Sequence, residues 1–163
     1  MQNLSPASRV WIYQSSRFFT EAEELEITVK LSDFVTTWTA HNQLLQASAK
    51  IYHRLFIVLT VDESQAGASG CSIDKSVHFL QALEVKYNLQ LFNRLLFAYV
   101  AENKAIKIVT KRELSQLYSS KIIDDTTLVF DNLVATKSDF DQFWLRSLGE
   151  SWHRTMVAAA RVV

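Results

Sequence analysis

The stretch "LFIVLTVDESQAGASGCSIDKS", residues 55–76, decides the fold. Its first seven residues, Leu55 to Val61, are apolar at nearly every position. A strand of that kind is buried on both faces and lies at the centre of a sheet. The loop that follows holds Gly67 and Gly70, two of the chain's three glycines, and Cys71, its sole cysteine. Glycine there is expected to supply a positive φ or a close backbone approach, so that the strand can reverse sharply and release a helix. Ile73, Val77, Leu80, Leu83 and Tyr87 mark one face of that helix, with Ser72 or Asp74 as its expected N-cap.

Working outward, "QASAKIYH" alternates, with Ala47, Ala49 and Ile51 on one side and Gln46, Ser48 and Lys50 on the other, the pattern of a half-exposed strand. Upstream, Thr20 and Glu23 form a capping box for a helix whose apolar face is Ile27, Leu31, Phe34, Val35 and Trp38. "RVWIYQ" at 9–14 and "LLFAYV" at 95–100 read as strands from their β-branched and aromatic content. The order β-α-β-β-α-β predicts an α+β, ferredoxin-like domain over residues 9–101, with two helices on one face of a four-stranded antiparallel sheet.

Residues 102–155 are expected to form a C-terminal α/β extension packed on that domain. "IKIVT" reads as a strand, Thr110 with Glu113 opens a helix through Leu114, Leu117 and Tyr118, and "TTLVF" is a further strand. Ser138 with Asp141 is expected to cap a last helix presenting Phe140, Phe143 and Trp144. Residues 1–8 and 156–163 are expected to be loose tails. Two helices leave the second face of the central strand open, so either the C-terminal segment or a second copy of the chain, as a homodimer, must cover it.

Composition narrows the function classes. The 163 residues are 48% hydrophobic with four Trp and ten Phe, which excludes disorder for most of the length. Seventeen basic and seventeen acidic side chains balance and are interleaved, so no nucleic-acid partner is expected. A single cysteine, no leading apolar signal and no apolar run near twenty residues point to a reducing, cytoplasmic setting without membrane insertion. One Cys and four scattered His give no metal-binding pattern, and no cofactor is expected. The loop is not a P-loop either, because Cys71-Ser72 follow Gly70 where Lys-Ser/Thr would be needed.

The candidate chemistry therefore gathers on the glycine loop. Cys71 at a helix N-terminus would feel unpaired N–H groups and the macrodipole, which favour a thiolate. The same amides around Ser69, Gly70 and Ser72, with Asp74 and Lys75 beside them, form a possible cradle for a small anionic ligand. The plainer reading makes Cys71 a small hydrophobe in a tight turn. A nucleophile needs a base: His78 lies roughly 10 Å along the same helix, leaving His41 and His153 as candidates that the fold would have to bring near. The plainer reading of each of these histidines, and the one the sequence favours, is a capping or core-edge residue. Asp62 and Glu63 leave the central strand together, a place for Mg²⁺-binding acids or for solvated loop carboxylates.

On "SRVWIYQSSRFFT", "WTAHNQLLQASA", "VDESQAGASGCSID" and "DDTTLVFDNLVATK" with "SWH", the chain resembles a family of small bacterial proteins labelled "ABC transporter ATPase". That label implies nucleotide hydrolysis, and the resemblance brings no site residues with it. "TKRELSQLYSSKIIDDTTLVF" with Trp144 also looks like a small GYF-type adaptor module. The sequence points first to a non-enzymatic protein that binds or interacts with a partner. The alternative is an enzyme or small-anion binder using the Cys71 loop, and a nucleotide hydrolase comes third.

Overall fold

In a computed structural model that describes residues 4–159, the chain begins with β1 (Arg9–Gln14) and α1 (Glu21–Thr37). A small hairpin of β2 (Thr39–Ala40) and β3 (Gln43–Leu44) follows, then β4 (Gln46–Tyr52), β5 (Phe56–Asp62) and α2 (Gly70–Tyr87). The first of two compact units consists of the chain up to Phe92 together with Ala135–Asp141. Its sheet has the order β1-β5-β4, antiparallel throughout. All seven residues of β5 are buried, including the polar Thr60 and Asp62.

Ile57, Leu59 and Val61 of β5 meet Ile27 and Leu31 of α1 and Leu80 and Leu83 of α2 in one core. Each such side chain contributes about 1.5–3 kcal/mol on burial. The helices run antiparallel and are joined at both ends and the middle. The Trp38 indole after α1 donates to the Ser72 carbonyl in α2 (2.8 Å), and Phe34 stacks on Phe79 with ring centroids 4.5 Å apart. At the other end Arg17 holds Glu23 through two 2.8 Å hydrogen bonds and donates to the Tyr87 carbonyl at 2.5 Å. Glu23 completes the capping box with Thr20.

The second face of β5 is covered by the chain itself. Leu4 is buried, and the Ser5 amide donates to Asp62 Oδ2 (3.0 Å). The segment from Ala135 lies beside β1: Val10 N–H donates to the Ala135 carbonyl (2.9 Å), and Lys137 N–H to that of Ser8 (2.8 Å). Residues 4–8 are thus docked rather than loose, and Ala135–Asp141 contribute to the cover of this face. Residues 1–3 and 160–163 lie outside the described residues.

The expected ferredoxin-like sheet lacks its fourth strand. Leu96–Val100, now β6, pairs instead with β7 (Ile106–Thr110) across a short hairpin in which Lys104 takes a φ of 66°. A neighbour in sequence reached through a tight turn wins over a distant edge. The site beside β1 that the missing strand would fill is taken by the Arg9–Thr136 bridge.

The second unit, Asn93–Val134 with the chain from Gln142 onward, therefore begins before residue 101 and takes β6 from the domain expected there. After β7 come α3 (Lys111–Ser119), β8 (Leu128–Phe130), α4 (Lys137–Phe143), β9 (Leu145–Ser147) and α5 (His153–Ala159). The sheet order is β7-β6-β8-β9, again antiparallel. Thr110 and Glu113 cap α3 as their spacing predicts. At α4 the capping hydroxyl is that of Thr136, which accepts from Asp139 N–H (3.1 Å), not that of Ser138. Trp144 lies beyond that helix and is buried, its indole N–H on Asn132 (3.0 Å). Tyr99, Leu114, Val129, Leu148 and Val157 share this unit's core, so α5 is packed where a loose tail was expected from residue 156.

Both units carry direct tests. A Cβ on Gly149 would meet Asp125 Cβ at 2.9 Å and its carbonyl oxygen at 3.1 Å, whereas one on Gly70 meets nothing within 4 Å. Chemical denaturation should show Gly149→Ala destabilised by about 1–3 kcal/mol and Gly70→Ala neutral or up to about 1 kcal/mol more stable. The Arg17 guanidinium and the Thr20 amide lower the Glu23 carboxyl from its ordinary 4.5 to about 2. Glu23 therefore stabilises the fold above pH 4.5, and that stability is lost as pH falls toward 2. Glu23→Gln should cost about 1 kcal/mol at neutral pH, with the difference from wild type vanishing near pH 2.

Candidate functional site

The glycine loop delivers a helix start of ordinary construction. Helix α2 begins at Gly70, and its N-cap is Ser69, not Ser72 or Asp74. Ser69 and Ser72 form the reciprocal box: Ser72 N–H donates to Ser69 Oγ (3.2 Å) and Ser69 N–H to Ser72 Oγ (2.8 Å). Ser72 enters that box because its hydroxyl, placed where Glu or Gln more often sits, is short enough to fold back on the cap. Neither loop glycine has a positive φ, so the turn makes no demand that only glycine meets. Gly67 and Gly70 thus do not have the role that the sequence suggested.

The anion cradle is partly filled from within. The Ala68 amide donates to Glu63 Oε1 (3.0 Å), and two further loop amides are spent on the capping box. Lys75 reaches the hydroxyl of Thr39 (3.3 Å), and Asp74 is exposed. The Ser64 and Ser5 groups that donate to Asp62 hold its carboxyl below the ordinary value, and through the Ser5 amide it holds the N-terminal segment. Among the described residues, no group of three or more His, Cys, Asp or Glu is placed to hold a metal ion.

Cys71 is exposed, as the second residue of α2, and is not the buried hydrophobe of the plainer reading. His41, with φ 48°, occupies the turn between β2 and β3 with Asn42 (φ 63°) and is also exposed. Among the described residues no hydrogen bond joins Cys71 to a histidine. His153 belongs to the second unit.

The most elaborately built side-chain cluster among the described residues surrounds His153. Its imidazole is 1% exposed and stacks on the Trp152 indole with centroids 4.1 Å apart, while Phe97 meets both rings edge-on at 5.8 and 5.7 Å. The Ser151 hydroxyl oxygen lies 3.0 Å from His153 Nδ1 and 3.1 Å from the Leu148 carbonyl, and it accepts the His153 amide (3.3 Å). Among the described residues His153 Nε2 is buried without a partner. Burial lowers the imidazole from 6.5 to about 4, against the opposing pull of the Asp131 carboxylate.

Asp131 organises the rest. It is buried, accepts from the Trp152 indole N–H (3.0 Å) and the Leu133 amide (3.1 Å), and lies 3.7 Å from the Arg146 guanidinium. Trp152 nonetheless remains 38% exposed. A large aromatic is thereby fixed at the surface by a stacking partner, an edge contact and a buried carboxylate. The adjacency of Trp152 and His153 was visible in the sequence, but Phe97 and Asp131 are more than twenty residues away and carry no spacing signal.

Compared with protein-family models, with curated proteins and with solved structures, the chain finds no significant match in any of the three. Among the described residues no helix is long and apolar enough to cross a membrane.

The buried neutral imidazole makes the cluster acid-sensitive. The unfolded chain takes up a proton at His153 near pH 6.5 and the folded chain only near 4, so stability is lost as pH falls through that window and levels off below it. Denaturation at stepped pH should lose roughly 3 kcal/mol from this group, and His153→Asn, which removes the titrating ring, should lack that component. A His153 ring that titrates near 6.5 by NMR contradicts the assignment.

Proposed function

We propose that this protein is a non-enzymatic binding protein and that Trp152 is the anchor of its contact with a protein partner. One observation carries the reading: an exposed indole is held in a single orientation by Asp131, His153 and Phe97. Binding normally pays an entropic penalty to fix such a side chain, and here folding has already fixed it. Tryptophans of this kind dominate interface energetics because they bury large apolar area while the N–H keeps a partner. Among the described residues Cys71 has no hydrogen bond to a histidine, which supports a binding role over nucleophilic catalysis, since a nucleophile needs a base in reach to be activated.

Two partner classes are compatible with this surface, a second copy of the chain and a different protein. Sedimentation velocity separates them: a concentration-dependent dimer in wild type that Trp152→Ala converts to monomer identifies self-association. A wild-type monomer at all concentrations assigns the surface to another protein. The nucleotide hydrolysis implied by the resemblance has no support in the loop, where Cys71 and Ser72 stand in place of the phosphate-binding Lys-Ser/Thr.

Trp152→Ala should weaken partner capture more than ~10-fold while leaving the far-UV circular dichroism unchanged, and Cys71→Ser should have no effect on it. Capture that survives Trp152→Ala and is lost in Cys71→Ser moves the function to the start of α2 and overturns the proposal.

A further inference from the structure

The alternation in β4 places Ser48, Lys50 and Tyr52 on the face of the sheet away from the two helices, alongside Val58 and Thr60 of β5. They line an open groove of about 370 Å³ within the first unit, walled by Leu4 and by Lys137, Phe140 and Asp141 of α4. That volume is in the range of small-molecule sites, which pair an apolar lining with a few converging polar groups.

The polar groups are unevenly satisfied. Lys137 is neutralised by Asp141 at 2.6 Å, so this wall carries no net charge. Among the described residues the Lys50 ammonium has no ion pair or hydrogen bond, and neither have the hydroxyls of Ser48 and Thr60, which lie directly opposite one another across the β4–β5 ladder. One uncompensated ammonium therefore stands beside two free hydroxyl donors on a strand floor. Against them is an aromatic corner, Tyr52 edge-on to Phe140 at 5.3 Å, with Val58 and Leu4 extending the apolar surface. Burial, with the Asp141 carboxylate nearby, raises the Tyr52 hydroxyl above its ordinary value, so it stays neutral throughout the physiological range.

We infer that this groove binds a small organic monoanion, a carboxylate with a planar or short apolar body. The carboxylate meets Lys50 with the Ser48 and Thr60 hydroxyls, and the body lies against Tyr52, Phe140 and Val58. A single positive charge selects a monoanion over a dianion. The apolar corner selects an organic acid over an inorganic ion, because free phosphate or sulfate would leave that surface wet. Charged hydrogen bonds of this type are the strong ones where water is partly excluded. The site is independent of the Trp152 surface, and neither proposal depends on the other.

The test is an amide-resolved NMR titration of the full chain with benzoate and hexanoate, with benzamide and inorganic phosphate as comparisons. Saturable shifts are expected at Ser48, Lys50, Tyr52, Thr60 and Phe140 with one or both acids, with at least ~10-fold weaker binding of benzamide and phosphate. Lys50→Gln, on an exposed position, should weaken the acid ~10-fold, and Thr60→Val by a smaller factor. Lys137→Gln should not weaken it. Lack of saturable shifts with both acids, equal binding of benzoate and benzamide, tighter binding of phosphate, or wild-type affinity in Lys50→Gln would each overturn the inference.

Discussion

A strand with no solvated face imposes the main constraint on this chain. Every residue of β5 is buried, and its alternate side chains point into two separate environments. One face is met by α1 and α2, locked to each other by the Trp38 hydrogen bond, the Phe34–Phe79 stack and the Arg17 clamp. The opposite face takes its cover from segments far apart in sequence, the stretch around Leu4 and that from Ala135 to Asp141. Asp62 helps fix the first of these, since its carboxylate accepts the Ser5 amide. That arrangement also creates the groove, because cover supplied by a short helix and a tail is less complete than cover by a packed layer.

What could be read from the sequence follows the range of the forces involved. Capping at Thr20 and Thr110, the alternation of β4 and the doubly apolar β5 are local patterns, and each has its expected place in the structure. Strand pairing is not local. Leu96–Val100 reads equally well as the fourth strand of one sheet or the first of another, and only the short hairpin to Ile106–Thr110 decides between them. The return of Ala135–Asp141 to β1 had no signal at all beyond a need for cover. Ser48 and Lys50 were recognised as the polar side of a strand, but their opposition to Thr60 depends on a register that composition cannot give.

The glycine loop shows how a conspicuous sequence feature can be structurally plain. Gly67 and Gly70 sit at negative φ in open surroundings, while Gly149, in an unremarkable stretch, is the glycine that a neighbouring backbone actually crowds. Scarcity drew attention to the wrong pair. The chemistry moved in the same way: Cys71 is exposed at a helix start with no hydrogen bond to a histidine among the described residues, whereas His153 is buried in the cluster that orients Trp152. Buried polar atoms without partners among the described residues, such as His153 Nε2, cost stability, and a cluster that retains one while fixing an indole at the surface is consistent with a surface built for recognition.

Amide hydrogen exchange on the full chain tests the covering of β5 most directly. The Val10 and Lys137 amides, donated to Ala135 and Ser8, should exchange slowly and together with the interior of β5. Exchange of these two amides at the rate of exposed loops, with β5 alone protected, would mean that the second face is covered by something other than this chain's own returning segment.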